Sequence, residues 1–159
     1  MVELKALYEK AGFKNVTTYI QSGNVVFSTE KADIPALPDK IQQFIFKKYK
    51  FQVPVIVRTV DEMQALVDAN PMVKSKDIEK LHVTFLADHP GKEHLEKIKT
   101  YQYPPDEYII AGKEIYVYCP NGYGNTKLSN NFFENKLKVT ATTRNWRTVN
   151  ELLKLGKIL

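Results

Sequence analysis

The stretch Tyr118-Cys119-Pro120-Asn121-Gly122-Tyr123-Gly124-Asn125-Thr126-Lys127-Leu128 reads as a strand that runs into a glycine-bearing loop and then a helix opening with a lysine. Gly122 and Gly124 allow the backbone to approach a ligand closely, and amides near Thr126–Leu128, at a helix start, are donors without intrahelical partners. Lys127 adds a full charge and Ser129 a further donor. Arg144 and Arg147, at the start of the final helix, offer planar forks suited to phosphate or carboxylate. Gly122, Gly124, Thr126, Lys127, Ser129, Arg144 and Arg147 are therefore the candidate anion site. The spacing is not that of a phosphate-binding Walker loop, and Lys127 stands where a dinucleotide fingerprint needs its third glycine. A capped turn with exposed cations uses the same residue types, so both readings stand.

Three other groups could carry chemistry. Alternation along 114–119 turns Tyr116 and Tyr118 to one face, and His82 and Thr84 are expected to share it. An aromatic open sheet face is how RNA-recognition modules stack bases, although Ala111–Tyr118 lacks their motif and Glu114 adds negative charge. Packing or a subunit contact is the other use of such tyrosines. Cys119 has no histidine near it in sequence and is expected inward, as a structural thiol. His82, His89, His94 and that cysteine are too few and too scattered for zinc, so no metal site is expected.

The charge is placed unevenly. Of the net +5, residues 1–112 contribute nothing, with 15 Lys+Arg against 15 Asp+Glu, while 113–159 hold 8 basic and 3 acidic side chains. A negatively charged partner fits that excess, as does a solvated surface. No apolar run approaches the roughly 18 residues of a membrane span. A lone cysteine excludes an internal disulfide and fits a reducing compartment, so a cytoplasmic protein without membrane partners is expected.

Hydrophobic spacing supplies the elements that would hold these residues. Leu4, Leu7, Tyr8 and Ala11 mark a helix stopped by Gly12. A hairpin turns at Ser22-Gly23-Asn24, and a helix follows from about Pro38. Val53, Val55 and Val57 alternate as a strand. A short helix after Thr59 ends at Asn70-Pro71. The second half gives a strand at Leu81–Ala87, a helix at about 91–101, a hairpin around Gly112-Lys113 and a helix bearing Phe132 and Phe133. Val139–Thr143 is a further strand, and Asn145 caps a last helix anchored by Trp146.

The order is αββαβα and then βαββαβα, with the hairpin turns 89 positions apart and the strands from Val53 and Val139 86 apart. That periodicity predicts an α+β fold of two tandem ferredoxin-like (βαββαβ) repeats with antiparallel sheets. The first repeat spans 1–72 and the second 81–159 with the C-terminal helix, joined by a polar linker at 73–80. The counterpart of the Leu81–Ala87 strand would fall before Met1. The first repeat is thus expected to lack its central strand, either because the sequence is an N-terminally shortened version of a longer protein or because the gap is filled by another segment or by a second copy in a homo-oligomer.

Tyr19-Ile20-Gln21-Ser22-Gly23-Asn24-Val25, Gly122-x-Gly-x-x-Lys127-Leu128 and Thr142-Thr143-Arg144-Asn145-Trp146-Arg147 resemble, in order and separation, the signatures of an uncharacterised bacterial family, domain of unknown function 1697. The likeness runs from Val2 to about Leu155. It implies paired ferredoxin-like repeats, and it implies a preceding strand and loop of the type Leu-Leu-Arg-Gly-Ile-Asn-Val-Gly that this sequence lacks. It implies no catalytic residue and no cofactor, so none is expected. The function read from the residues is a binding domain for an anionic ligand, either a phosphate-bearing small molecule or nucleic acid. The alternatives are an enzyme acting on a phosphorylated or carboxylated metabolite, and a protein-interaction module that pairs a strand edge.

Overall fold

Helix α1 (Val2–Lys10) ends where the sequence places its stop: Gly12 has φ near 100° and donates to the Glu9 carbonyl at 3.1 Å, while Phe13 reaches back to Tyr8. A left-handed φ of that kind is reached cheaply only without a Cβ. Strands β1 (Lys14–Tyr19) and β2 (Asn24–Ser28) pair antiparallel from Tyr19 opposite Asn24 to Lys14 opposite Ser28, with a register shift between Lys14 and Thr17. The computed structural model describes residues 2–19 and 23–159. Part of the expected hairpin turn and of the first motif, Ile20-Gln21-Ser22, lies outside the described residues.

A 3-10 segment, Lys31–Ala36, leads into α2 (Leu37–Tyr49), which carries Pro38 in its first turn. Leu37, Ile41 and Ile45 of α2 are buried with Tyr8, Phe13 and Val16 in one core, walled by Phe27, Phe44 and the valines at 53, 55 and 57. Its aromatic rings pack edge to face or tilted, Phe13 to Phe27 at 4.5 Å and Tyr8 to Phe44 at 5.2 Å, as ring quadrupoles favour. The expected strand at Val53–Val57 does not form. Its side chains do face the core, but no described strand lies beside it to accept a ladder. Alternation secures burial here, whereas a strand needs a neighbour as well.

Helix α3 (Val60–Asp68) and a single 3-10 turn (Ile78–Lys80) precede the second sheet, with β3 (Leu81–Leu86), α4 (Lys92–Ile98), β4 (Glu107–Ala111), β5 (Glu114–Tyr118), α5 (Asn130–Leu137) and β6 (Ala141–Asn145). The strands lie in the order β4-β5-β3-β6, every pair antiparallel. Helix α6 (Trp146–Ile158) closes the chain, with the Asn145 side chain accepting from the Thr148 amide at 2.8 Å as the expected cap. Strand β6 begins two residues later than Val139 and runs directly into that helix.

The chain divides into two compact units, one built from residues up to Val60 with Asn150–Leu159, the other from Asp61–Val149. In the second unit the sheet is covered on both faces. Leu86, Ile115, Val117 and Ala141 meet Ile98 of α4 and Phe133 and Leu137 of α5 on one side. Leu81, Val83, Phe85 and Tyr116 are buried on the other, where the Tyr116 hydroxyl donates to the Leu66 carbonyl of α3 at 2.7 Å. Helices with a sheet, in an α+β arrangement, are thus the observed class.

Candidate functional site

The loop after β5 is organised by its own side chains. Gly122, at φ near 92°, opens a 3-10 turn over Tyr123–Asn125, and the Asn125 side chain donates to the Asn121 carbonyl. The Thr126 hydroxyl donates to the Asp106 carboxylate and accepts from the Leu128 amide. Ser129 caps α5 by accepting from the Phe132 amide at 3.2 Å, and the Asn130 amide donates to the Tyr123 hydroxyl at 2.7 Å. The helix therefore opens at Asn130 and not with Lys127, which corrects the sequence reading. A serine followed by two asparagines is the stronger cap, and it draws the helix start three residues downstream. Amides at 128, 130 and 132 already have acceptors within the chain.

Lys127 is exposed, and its ammonium lies over the Tyr103 ring at 5.7 Å from the centroid. Lys136, in the last turn of α5, covers the Tyr101 ring at 4.2 Å. Phe132 stands between the two tyrosines, edge-on to both at 6.0 and 5.7 Å. Among the described residues neither lysine forms an ion pair. The loop carrying Tyr101 and Tyr103 is fixed from below, because the Tyr108 hydroxyl lies 2.8 Å from the Ile98 carbonyl and 2.9 Å from that of Tyr101. The result is a cluster of three rings with a cation over each tyrosine, in which Tyr103 and Phe132 are half-buried against the core. Its signal in the sequence is Tyr101-x-Tyr103 with Phe132 and Lys136 one turn apart, two stretches joined only by the α4–α5 packing.

Arg144 is elsewhere. In β6 it pairs opposite Val83, on the face of Leu81, Phe85 and Tyr116, whereas α5 packs on the other face. Its guanidinium donates to Thr142 Oγ1 at 2.7 Å and to the Thr143 carbonyl at 2.9 Å, and burial holds it below its usual value. Arg147 is exposed on α6. The loop residues Gly122, Gly124, Thr126, Lys127 and Ser129 thus come together, and Arg144 does not join them.

The tyrosine face also differs from expectation. Antiparallel partners share a face, and His82 lies opposite Val117 while Thr84 lies opposite Ile115, so both point with the helix-side core and away from Tyr116 and Tyr118. Thr84 bonds Thr143 at 2.8 Å, and Thr143 donates to Asn130 at 2.9 Å, tying β3 and β6 to the start of α5. His82 stacks on Tyr123 at 4.7 Å. Its Nδ1 finds no partner among the described residues, and burial pushes the imidazole below its usual value, the Lys80 backbone opposing. Tyr116 is 3 % exposed and sealed by α3, so it offers no stacking surface.

Cys119 is buried, as its strand position implies. It lies diagonally from His82 on one face, a neighbour invisible in sequence distance. Burial pushes the thiol up, the neighbouring Thr126 hydroxyl opposing and the Asp106 charge adding to it, which disfavours a thiolate. Among the described residues no group of three or more His, Cys, Asp or Glu is gathered as a metal site, and no helix is long and apolar enough to cross a membrane.

Comparison with known proteins gives one family and a fold. The model of a family described as "Protein of unknown function (DUF1697)" matches residues 1–116. No curated protein matches. Among solved structures, a conserved bacterial protein from Streptococcus pneumoniae superposes with a TM-score of 0.74 at 18% identity, covering 99% of this chain and 88% of that one. At that identity the likeness speaks for the fold alone.

Proposed function

We propose, from the premise that the chain belongs to the DUF1697 family of proteins of unknown function, that its second unit binds single-stranded nucleic acid along the strip of Tyr101, Phe132 and Tyr103. One observation carries this reading: two lysines, without ion-pair partners among the described residues, lie over the rings of Tyr101 and Tyr103, with Phe132 edge-on between those rings. Bases have π faces and phosphates have charge, and the strip offers complements to both at the spacing of one side chain. The concentration of the whole net charge in 113–159 supports it by drawing a polyanion to this half. The reading keeps Lys127 from the sequence-level site and leaves Arg144 aside. It treats 81–159 as the second ferredoxin-like repeat, 1–72 as the first and 73–80 as their linker.

The test is the affinity of a fluorescent oligonucleotide measured across salt concentrations. Each phosphate neutralised on a single strand contributes about −0.7 to the slope of log affinity against log salt. The double variant Lys127→Glu, Lys136→Glu is expected to flatten that slope by at least about 1.4 and to weaken binding at low salt. Tyr101→Ala is expected to weaken binding with the slope unchanged, since a ring releases no counterion. Absence of binding at low salt, or a double variant that binds as the parent does, rules the reading out.

A further inference from the structure

Helices α2 and α5 end alike, on Lys50 and Lys138 in the left-handed region at φ 63° and 56°, each amide returning to the carbonyl four residues earlier. The two caps are 88 positions apart, so Gln42, Phe46 and Val53 correspond to Asn130, Glu134 and Ala141. In the second unit the seam between the helix and the chain that follows it is closed. The Asn130 side chain donates to the Ala141 carbonyl at 2.9 Å, and the Ala141 amide donates to the Glu134 carboxylate at 2.9 Å. The preceding carbonyl, that of Thr140, accepts from Ala87 at the end of β3, so Ala141 is held on the side turned away from that strand.

In the first unit the same seam is open. A cleft of about 290 Å³ lies between α2 and residues 52–53, lined by Asp39, Gln42, Gln43, Phe46, Gln52 and Val53. Phe46 has no oxygen with which to accept the Val53 amide as Glu134 accepts that of Ala141. Among the described residues, neither that amide and its carbonyl nor the carboxamides of Gln42, Gln43 and Gln52 have a hydrogen-bond partner. Phe46 is exposed, and Lys47, Lys48 and Lys50 follow it, also exposed and without ion pairs among the described residues.

We propose that this cleft is a binding site for a mononucleotide, with the base against the Phe46 ring, its edge read by the carboxamides and the Val53 backbone, and its phosphate at the lysines that follow. The chemistry of the lining selects that class. A nucleobase presents a flat π face and an edge that mixes donors and acceptors. Phe46 supplies an aromatic surface, while a glutamine carboxamide, like a residue's N–H with its C=O, offers donor and acceptor together. Lys47 stands one turn beyond Gln43 on α2, which puts positive charge beside the groups that read the base. At about 290 Å³ the cleft is at the lower end of small-molecule sites, which begin at roughly 300 Å³, and so suits one nucleotide and not a strand. The inference stands on the first unit alone and is independent of the rings and lysines of the second.

The probe is adenosine monophosphate, titrated into the isotope-labelled full-length chain, with adenosine and ribose phosphate as its two halves. The expected result is saturable binding, with shift changes in the side-chain amides of Gln42, Gln43 and Gln52 and in the backbone amide of Val53. Each half is expected to bind at least about fivefold more weakly than the whole, one lacking the charged contact and the other the stacked base. Phe46→Ala removes the ring from an exposed position, so Tm should match the parent while affinity falls at least about fivefold. Phe46→Glu installs the side chain that closes the seam in the second unit and is expected to abolish binding. The proposal is overturned if the nucleotide does not saturate the chain at millimolar concentration, if either half binds as well as the whole, or if either variant binds as the parent does. Shift changes centred instead on Tyr101, Tyr103 and Phe132 would place the nucleotide on the second unit and overturn it equally.

Discussion

Removing the Tyr116 hydroxyl tests how the second sheet is held on the side away from α4 and α5. The carbonyl of Leu66 lies in the last turn of α3, where helices leave carbonyls without intrahelical donors. The amide that would reach it, that of Asn70, turns instead to Val67, and Ala69 bonds Ala65. The Tyr116 hydroxyl, 2.7 Å away, serves as its donor across 50 residues of sequence. In Tyr116→Phe the ring keeps its packing, so the loss is the hydrogen bond plus an oxygen left buried. That is about 1–3 kcal/mol, or a fall of roughly 2–12 °C in Tm for a chain of this length. Urea unfolding followed by circular dichroism measures it, with amide exchange at the end of α3 as the local readout. A change of less than about 0.5 kcal/mol with unaltered exchange at Ala69 and Asn70, within the scatter of surface substitutions, would refute the capping role.

Four further outcomes follow from the same geometry. Phe133→Ala empties the centre of the core between the sheet and α5, where Phe133 is fully buried, and is expected to cost about 3–5 kcal/mol in urea unfolding. Ser129→Ala removes the α5 cap and should cost about 1 kcal/mol, while Gly124→Ala, which meets no atom within 4 Å and has no positive φ, should leave the transition unmoved. His82 has a lowered value in the folded chain, so the unfolded chain takes up its proton first as pH falls. Its contribution is complete above about pH 6.5 and is lost progressively below that value, so His82→Gln should flatten this limb of the stability profile relative to the parent. Cys119, buried with its thiol pushed up, should resist iodoacetamide at neutral pH in the folded chain and react promptly in urea.

What could be read in the sequence followed from how local each signal is. Gly12 as a helix stop, Asn145 as a cap and Trp146 as a buried anchor depend on neighbours within four residues, and each stands where it was expected. The valines at 53, 55 and 57 gave the correct burial and the wrong element, because alternation records a facing core and says nothing of a partner strand. The position of His82 failed for a related reason. Its face depends on being opposite Val117, a register set 35 residues away. At the candidate site, Lys127 was legible as a cation near a helix start. The pairing of Tyr101 and Tyr103 with Phe132 was not, since it needs the α4–α5 packing to bring two stretches together.

Helix α6 gives the two units an order of completion. Its first residues, Trp146–Val149, belong to the unit that begins at Asp61, and the rest, from Asn150, belong to the unit that begins the chain. On the ribosome, where domains usually fold in the order they emerge, the leading unit must wait for the final ten residues, made after every strand of the other sheet. The unit encoded second is thus complete first.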